Sequence, residues 1–213
     1  MISDKRDIEI KAFEVGPIGT NCYLTYDGNK TGILIDPGYP ETAIRDFILR
    51  NDLKIEYTVN THGHGDHIAG NKFFDYPVYI HELDEPFLTD GAKNLGFFAG
   101  MTVPKVKAFK ILKDGDKILA GKLEFTVIHT PGHTPGGICL LAGNVLFAGD
   151  TLFHEGVGRT DLPGGSQKAL EASIKNKLFT LPDNTKVYPG HGPATTIGHE
   201  KRNNPYITYN SEL

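Results

Sequence analysis

The sequence lacks several features that would mark a secreted or membrane protein. It contains only two cysteines in 213 residues, and Cys22 and Cys139 each lie in an apolar stretch typical of a β-strand. This pattern favours reduced, buried thiols over a disulfide framework. No apolar run approaches the roughly 18 residues of a membrane span, and the start MISDKRDIEI has no apolar core of a signal peptide. We therefore expect a cytoplasmic protein that does not associate with membranes.

An excess of positive charge is also absent. Lysine and arginine number 22 against 26 aspartates and glutamates, which gives a formal net charge of −4 at pH 7. Because nucleic acids attract basic surfaces, we expect no nucleic-acid partner. The hydrophobic share of 39% and the charged share of 23% are typical of a globular chain. A chain of this length can form one domain, and we interpret residues 1–213 as a single domain.

The order of apolar patterns predicts an α/β (α+β) protein. Short runs rich in β-branched and aromatic residues predict strands at 9–15, 21–26, 31–36, 55–60, 77–80, 122–130, 136–143, 144–150 and 186–190. Apolar residues at helical spacing predict helices over 40–51, 68–75, 81–88 and 165–179. Residues 89–104 show no clear period. Two sheets with helices on their outer faces are the simplest layering for this order.

The stretch THGHGDH, residues 61–67, places three histidines and an aspartate directly after a predicted strand. Buried imidazoles without a shared partner are costly, so a common metal ion explains their crowding. In an extended segment, the side chains of His62, His64 and Asp66 project to one side and can converge. His67 falls at the entry to the next predicted helix, where the turn of the chain directs its imidazole toward a second metal position. Imidazole and carboxylate ligands without cysteine suit catalytic Zn, Fe or Mn, and two nearby ions are plausible.

Three further candidate ligands follow apolar runs in the second half of the chain. They are His133 in HTPGHTPGG, Asp150 in FAGDTLF and His191 in YPGHGP. Glycine and proline surround all three, which allows loops to approach a common point. Taken alone, each of the three has an ordinary explanation that involves no metal. A histidine after a strand is commonly a surface residue, and an aspartate commonly forms a turn. Their combination with THGHGDH favours a metal centre.

The segments THGHGDH, PGHTPG, GDTLF and PGHG, in this order, resemble the metallo-β-lactamase-fold hydrolases, and within them the hydroxyacylglutathione hydrolases, also called glyoxalase II. The resemblance implies a four-layer αββα sandwich. It also implies two divalent metal ions, with Zn preferred over Fe or Mn. The implied ligands are His62, His64 and His133 for one ion, Asp66, His67 and His191 for the other, and Asp150 as a bridge.

The implied activity is the hydrolysis of a small-molecule thiol ester, for which a glutathione conjugate is the expected substrate. A metal-bound hydroxide attacks the thioester carbonyl, because metal binding lowers the pKa of water to about 7. Asp66 is the candidate catalytic residue that orients the hydroxide and accepts its proton. One alternative is a mononuclear iron persulfide dioxygenase, which would use His62, His133 and Asp150. Another metallo-hydrolase such as a lactonase is also consistent with the motifs.

Two departures from glyoxalase II concern the thiol-binding side. Few residues follow His191, so we expect the C-terminal helical region that binds glutathione to be missing. The loop after Asp150 reads HEGVGRTDLPGGS and lacks the lysine and tyrosine that contact the glutathione peptide in the family. We interpret Arg159 and Asp161 mainly as an ion pair that shapes the pocket wall, and Arg159 is also the candidate contact for a substrate carboxylate in place of the lysine. GVGRTDLPGGS and GHEKRNNP are similar to segments of the short, single-domain bacterial relatives.

The other polar candidates have weaker signals. Asp36 in LIDPG either supports a metal ligand or forms an ordinary turn. His154 lies near Asp150 in sequence, but the ligand set is complete without it, so we interpret it as a residue of the pocket rim. The remaining histidines match no metal position and are interpreted as helix-end or surface residues: His81, His129 and His199.

Overall fold

Two six-stranded β-sheets form the centre of the structure, a computed structural model that describes residues 8–207. The first sheet has the spatial order β1 (Glu9–Val15), β2 (Thr20–Tyr26), β3 (Thr31–Ile35), β4 (Lys54–Val59), β5 (Val78–His81) and β6 (Lys110–Leu112). The second has the order β14 (Thr195–Thr196), β13 (Lys186–Pro189), β10 (Val145–Gly149), β9 (Ile138–Ala142), β8 (Leu123–His129) and β7 (Lys117–Ala120). A separate hairpin pairs β11 (Leu152–Phe153) with β12 (Gly156–Val157).

Helices lie on the outer faces of the sheets or in the loops at their edges. They are α1 (Thr42–Arg50), α2 (Gly65–Ile68), α3 (Asn71–Phe74), α4 (Gly91–Asn94), α5 (Gln167–Ser173) and α6 (Ile197–Asn203). Helix α5 continues as a π-helical turn, Ile174–Leu178, and 3-10 turns cover Glu85–Leu88 and Gly96–Ala99. The Ser166 hydroxyl starts α5 by accepting a hydrogen bond from the Ala169 backbone N–H. No helix among residues 8–207 is long and apolar enough to cross a membrane.

Three apolar clusters define the layers. Between the sheets, Tyr23, Ile33, Tyr57, Phe125 and Phe147 belong to one buried cluster. On the outer face of the first sheet, apolar side chains of α1 and α3 pack against β2 and β3. On the outer face of the second sheet, α5 and α6 pack against β10 and β13. The order helix, sheet, sheet, helix confirms the expected αββα sandwich.

Most predicted strands are present, and the differences have local causes. The helix predicted over 68–75 is instead divided into α2 and α3, because the chain bends at Gly70, where a side chain would overlap the Pro37 carbonyl oxygen. The helix predicted over 81–88 is reduced to the 3-10 turn Glu85–Leu88, and His81 belongs to β5. Strands β6, β7, β11, β12 and β14 and helices α4 and α6 were not predicted. Cys22 and Cys139 are free and buried, as expected.

The interpretation of His81 as a surface residue is wrong. Its exposed fraction is 2%, and its ring stacks on that of His129 with 4.1 Å between centroids and 13° between planes. This contact joins the end of β5 in the first sheet to the end of β8 in the second. Burial, followed by the proximity of His129, lowers the pKa of His81 to about 4. The ring is therefore neutral near pH 7 and stacks without charge repulsion.

Candidate metal centre

Loops at one end of the sandwich bring the predicted ligands together. The THGHGDH motif follows β4, His133 lies between β8 and β9, Asp150 directly follows β10, and His191 follows β13. The seven residues form overlapping groups in which one ligand atom per residue lies within 4.8 Å of the others. The groups are His62, His64 and His133; His62, His67 and Asp150; and Asp66, His67 and His191.

The first group consists of three buried imidazoles. His64 Nδ1 lies 2.8 Å from His133 Nε2, and the centroid of the His62 ring is 4.8 Å from the centroids of both other rings. Burial, reinforced by His133, lowers the pKa of His64 to about 3, and burial with the neighbouring imidazoles lowers that of His62 well below its usual value. Both rings are therefore neutral near pH 7, which is the form that binds a metal ion.

The second group combines two imidazoles with a carboxylate. Asp66 Oδ2 lies 3.2 Å from His67 Nε2 and 3.2 Å from His191 Nε2, and it accepts a hydrogen bond of 2.9 Å from the Thr20 hydroxyl. Burial by itself would lower the pKa of His67, but three nearby carboxylates raise it well above its usual value. These carboxylates provide the negative charge that a divalent cation requires.

Asp150 lies between the two groups. Its Oδ1 is 3.3 Å from His67 Nε2, while its Oδ2 is 3.5 Å from His133 Nε2 and 3.6 Å from His191 Nε2. Burial would raise the pKa of this carboxyl group, but the proximity of His67 lowers it to about 2. An ionised carboxylate that lies near His133 of the first group and near His67 and His191 of the second can be shared by two cations.

Unpartnered polar atoms test whether the centre fits metal ions. Within residues 8–207, the buried Nε2 atoms of His62 and His67 and the Oδ1 atom of Asp150 make no hydrogen bond, although carboxylate oxygens lie 3.2 and 3.3 Å from His67 Nε2. Such atoms are costly to bury without a partner. Shared cations would satisfy them, and nitrogen and carboxylate oxygen donors suit Zn, Fe or Mn. The residues therefore fit a metal site of two divalent ions.

Asp36 supports the centre from the end of β3. Its Oδ1 accepts the Thr61 backbone N–H at 2.7 Å, and its Oδ2 accepts the Thr61 hydroxyl at 2.6 Å. The same Oδ2 lies 3.0 Å from His67 Nδ1. A carboxylate at Nδ1 orients the ring and directs Nε2 toward the centre. Of the two interpretations of Asp36, support of a ligand is the one that these contacts favour.

Backbone carbonyl groups orient two other imidazoles. His133 Nδ1 lies 2.7 Å from the Arg159 carbonyl oxygen, and His191 Nδ1 lies 3.2 Å from the Gly19 carbonyl oxygen. Donation from Nδ1 leaves Nε2 with a free lone pair in the neutral ring. The loop that carries Arg159 therefore has a role at the centre that does not depend on the arginine side chain.

The expected convergence of His62, His64 and Asp66 from one extended segment is wrong. Gly65–Ile68 form α2, so Asp66 lies in a helical turn. The turn directs Asp66 toward His191, while His62 and His64 meet His133 instead. The grouping implied by the family resemblance describes the geometry better than strand alternation does.

The side chains of Arg159 and Asp161 form a bidentate pair. Arg159 Nε and Nη2 donate to the two carboxylate oxygens at 2.8 and 2.7 Å. Both side chains are exposed, at 63% and 68%. The hydrogen bonds to Arg159 lower the pKa of Asp161 to about 2. The pair lies on the loop whose backbone contacts His133, so its charged groups are available to solvent close to the centre.

His154 lies outside the three groups of the metal centre. Its ring stacks on that of His199 with 4.9 Å between centroids, and both rings lie near Glu155. The buried Glu200 accepts the Glu155 backbone N–H at 2.9 Å, and Asn204 donates to the Gly156 carbonyl oxygen at 3.0 Å. The GHEKRNNP segment thus holds the β11–β12 hairpin, which follows Asp150.

Sequence analysis missed two polar residues that contact the centre or its loops. Thr20, at the start of β2, donates to Asp66, and Asp84 accepts the Gly63 backbone N–H at 2.8 Å. Asp84 belongs to the segment HELDEPFL, whose apolar spacing predicted a helix. Neither residue has a local signal, because its partner lies far away in the sequence.

The fold and the histidine–aspartate centre are those of the metallo-hydrolase superfamily. The chain belongs to the metallo-β-lactamase superfamily, since the family model described as Metallo-beta-lactamase superfamily matches residues 15–191. The hydroxyacylglutathione hydrolase GloC of Haemophilus influenzae is 33% identical over 214 residues, which cover 96% of this chain and 100% of that protein. The family expected from the motifs is confirmed.

Two solved structures with the same fold are also similar in sequence. The B3 metallo-beta-lactamase BLEG-1 is 38% identical with a TM-score of 0.89, and the match covers 94% of this chain and 100% of that one. TTHA1623, solved in a di-iron-bound form, is 38% identical with a TM-score of 0.83, and the match covers 92% and 100%. Full coverage of both structures shows that the chain shares their whole fold.

Proposed function

We propose that this protein is a thioester hydrolase of the hydroxyacylglutathione hydrolase type. The observation that carries the proposal is Asp150, whose ionised carboxylate lies between two sets of imidazoles. Two adjacent cations suit hydrolysis, because they stabilise both the attacking and the leaving side of a displacement. The similarity to GloC along the whole chain supports a thiol ester as the substrate class.

In this proposal His62, His64 and His133 hold one ion, Asp66, His67 and His191 hold the other, and Asp150 is shared. The assignment follows the grouping of the ligand atoms in space. It also provides a partner for the unpartnered Nε2 atoms of His62 and His67. Zinc is the proposed metal, although a related protein has been solved with two irons.

When bound, the ions would lower the pKa of a water molecule to about 7 and would polarise the carbonyl group of the substrate. Asp66 is the proposed residue that orients the attacking group and accepts its proton, and the contacts of its carboxylate with Thr20 and two imidazoles support this role. The leaving thiol has a pKa of about 8.5, so a thiolate departs without a strong general acid. Cys22 and Cys139 take no part, because burial raises the pKa of both thiols.

Arg159 is the proposed contact for a carboxylate of the thiol moiety, and Arg159→Ala is expected to raise KM for lactoylglutathione about tenfold. A hydrogen bond to a charged group contributes about 1.5 to 3 kcal/mol, and competition from Asp161 places the loss at the lower end. Metal content and kcat should not change, because the Arg159 carbonyl that contacts His133 remains in the variant. Steady-state kinetics with metal analysis measures both quantities.

Asp161→Ala is the matched comparison for Arg159. It frees the guanidinium, so KM for lactoylglutathione should stay the same or fall. A small neutral thioester should be hydrolysed equally well by the wild type and by both variants. If Asp161→Ala instead raises KM as Arg159→Ala does, and KM for the neutral thioester rises by the same factor, the pair only shapes the loop and does not bind the substrate.

One experiment on a single preparation tests the proposed activity against its alternatives. The protein is purified without added metal, its metal content is measured, and hydrolysis of lactoylglutathione is compared with oxygen uptake on glutathione persulfide. We expect two divalent ions per chain, thioester turnover and no oxygen uptake. One iron per chain with oxygen uptake would establish a dioxygenase instead. Since BLEG-1 is described as a metallo-beta-lactamase, a β-lactam and a lactone are included, and faster turnover of either would change the substrate class.

A further inference from the structure

Asp84 lies beneath the two loops that carry the first group of histidines. It follows β5 and is completely buried, with an exposed fraction of 0%. Its Oδ2 accepts the Gly63 backbone N–H at 2.8 Å and the Thr134 hydroxyl at 2.7 Å. Its Oδ1 accepts the Gly136 backbone N–H at 2.6 Å. One carboxylate therefore bonds three donors from two separate loops.

The donors are sequence neighbours of all three histidines in the first group. Gly63 lies between His62 and His64, and Thr134 directly follows His133. The first loop follows β4 of the first sheet, whereas the second connects β8 to β9 of the second sheet. Asp84 thus couples the two sheets at the point where their histidines meet.

Close packing leaves this carboxylate little freedom to move. A Cβ atom added at Gly136 would lie 2.6 Å from Asp84 Oδ1 and 2.8 Å from Asp84 Cβ. The following 3-10 turn packs Phe87 against Gly63, where an added Cβ would lie 2.5 Å from Phe87 Cγ. A metal site requires ligand positions held to about 0.5 Å, and rigid support of the surrounding shell provides this accuracy.

We propose that Asp84 is a positioning residue for the metal ion held by His62, His64 and His133. It fixes the distance between their two loops through backbone and hydroxyl groups, without contacting an imidazole. The inference rests on the proposed assignment of these three histidines to one ion. It does not depend on the substrate, so its test uses metal affinity, and a failure of the thioester assignment would leave that test intact.

The test is zinc affinity of Asp84→Asn, measured by competition with a chelator and by metal content after dialysis. Asparagine has the same shape but only one acceptor oxygen, so the backbone N–H of either Gly63 or Gly136 loses its acceptor and faces an amide NH2 group instead. We expect the Kd for zinc at the weakened site to rise about 10- to 100-fold, the range for residues that support metal ligands. A wild-type Kd would overturn the proposal.

Asp27→Asn is a matched control at the opposite end of the strands. Asp27 is also buried, at 3% exposure, and its carboxylate accepts the backbone N–H groups of Asn29, Thr31 and Lys122. It therefore links turns of both sheets as Asp84 does, but far from the histidines. The control should lower the melting temperature and leave zinc affinity unchanged. Equal losses of zinc affinity in both variants would show that any loss of folding stability weakens zinc binding, and this result would also overturn the proposal.

Thr134→Val provides a second, milder test. It removes only the hydroxyl donor and keeps the backbone bonds of Gly63 and Gly136 to Asp84. The Kd for zinc should rise in the same direction as in Asp84→Asn but by a smaller factor. If Asp84→Asn does not fold, this variant decides the matter, and an unchanged Kd in it would contradict the proposed role.

Discussion

Asp150→Ala is expected to lose both metal ions and the activity together. The substitution removes an oxygen directed at His67 and another directed at His133 and His191. It also removes the negative charge that offsets repulsion between two adjacent dications. Because loss of a residue that merely supports a ligand costs about 10- to 100-fold, loss of a shared ligand should lower turnover by more than about 100-fold. Metal analysis after dialysis and thioester turnover measure the two effects.

Asp183→Ala is the control for the Asp150 substitution. Asp183 is an exposed aspartate whose ion pairs with Lys201 and Arg202 lie on the surface. Such pairs contribute little to stability, so the variant should keep its metal and its turnover. The shared role of Asp150 would be refuted if Asp150→Ala retained two ions per chain and near-normal turnover.

Gly190→Ala is expected to have the second largest effect, although glycine itself binds no metal. An added methyl group would overlap Asp150 Oδ1 and would lie 2.8 Å from His67 Cε1. The Gly190 backbone cannot easily retreat, because its N–H donates to the Gly149 carbonyl oxygen at 2.8 Å and its own carbonyl accepts from Asn21 at 2.7 Å. The two ligand side chains must therefore move.

A displacement of about 1 Å near reacting groups can cost about 100-fold in rate, and we expect at least this loss in Gly190→Ala. Metal content should fall as well, while circular dichroism should show the native fold. Gly28→Ala is the control, since no atom lies within 4 Å of the added methyl group. Wild-type metal content and turnover in Gly190→Ala would mean that the ligands tolerate a shift, contrary to the packing described above.

Local patterns were sufficient to identify most strands and all members of the three histidine–aspartate groups. Each candidate ligand lies in THGHGDH or within a few residues of the end of an apolar run, and glycine or proline marks the loop that contains it. The layering of two sheets with outer helices was predictable from the order of the strand and helix patterns along the chain. The single-domain organisation, the thiol substrate and the roles of Arg159 and His154 stay predictions.

Contacts between distant segments could not be predicted. His81 was interpreted as a surface histidine because its stacking partner, His129, lies on another sheet. Asp66 was placed in an extended segment because a single helical turn such as α2 is too short to show a period. The segment LIDPG is compatible with both interpretations of Asp36, an ordinary turn and support of a metal ligand. Only the positions of Thr61 and His67 beside the carboxylate distinguish the two.

The sequence by itself determined which atoms are available to bind metal, because donor chemistry belongs to the residue type: imidazole nitrogen and carboxylate oxygen, with no thiolate near them. It also determined that these residues lie in loops, through the glycines and prolines beside them. Only the tertiary structure decided how the donors are grouped. Grouping depends on distances between loops of two different sheets, and those distances are set by the packing of the sheets and by buried bonds such as those of Asp84 to Gly63 and Gly136.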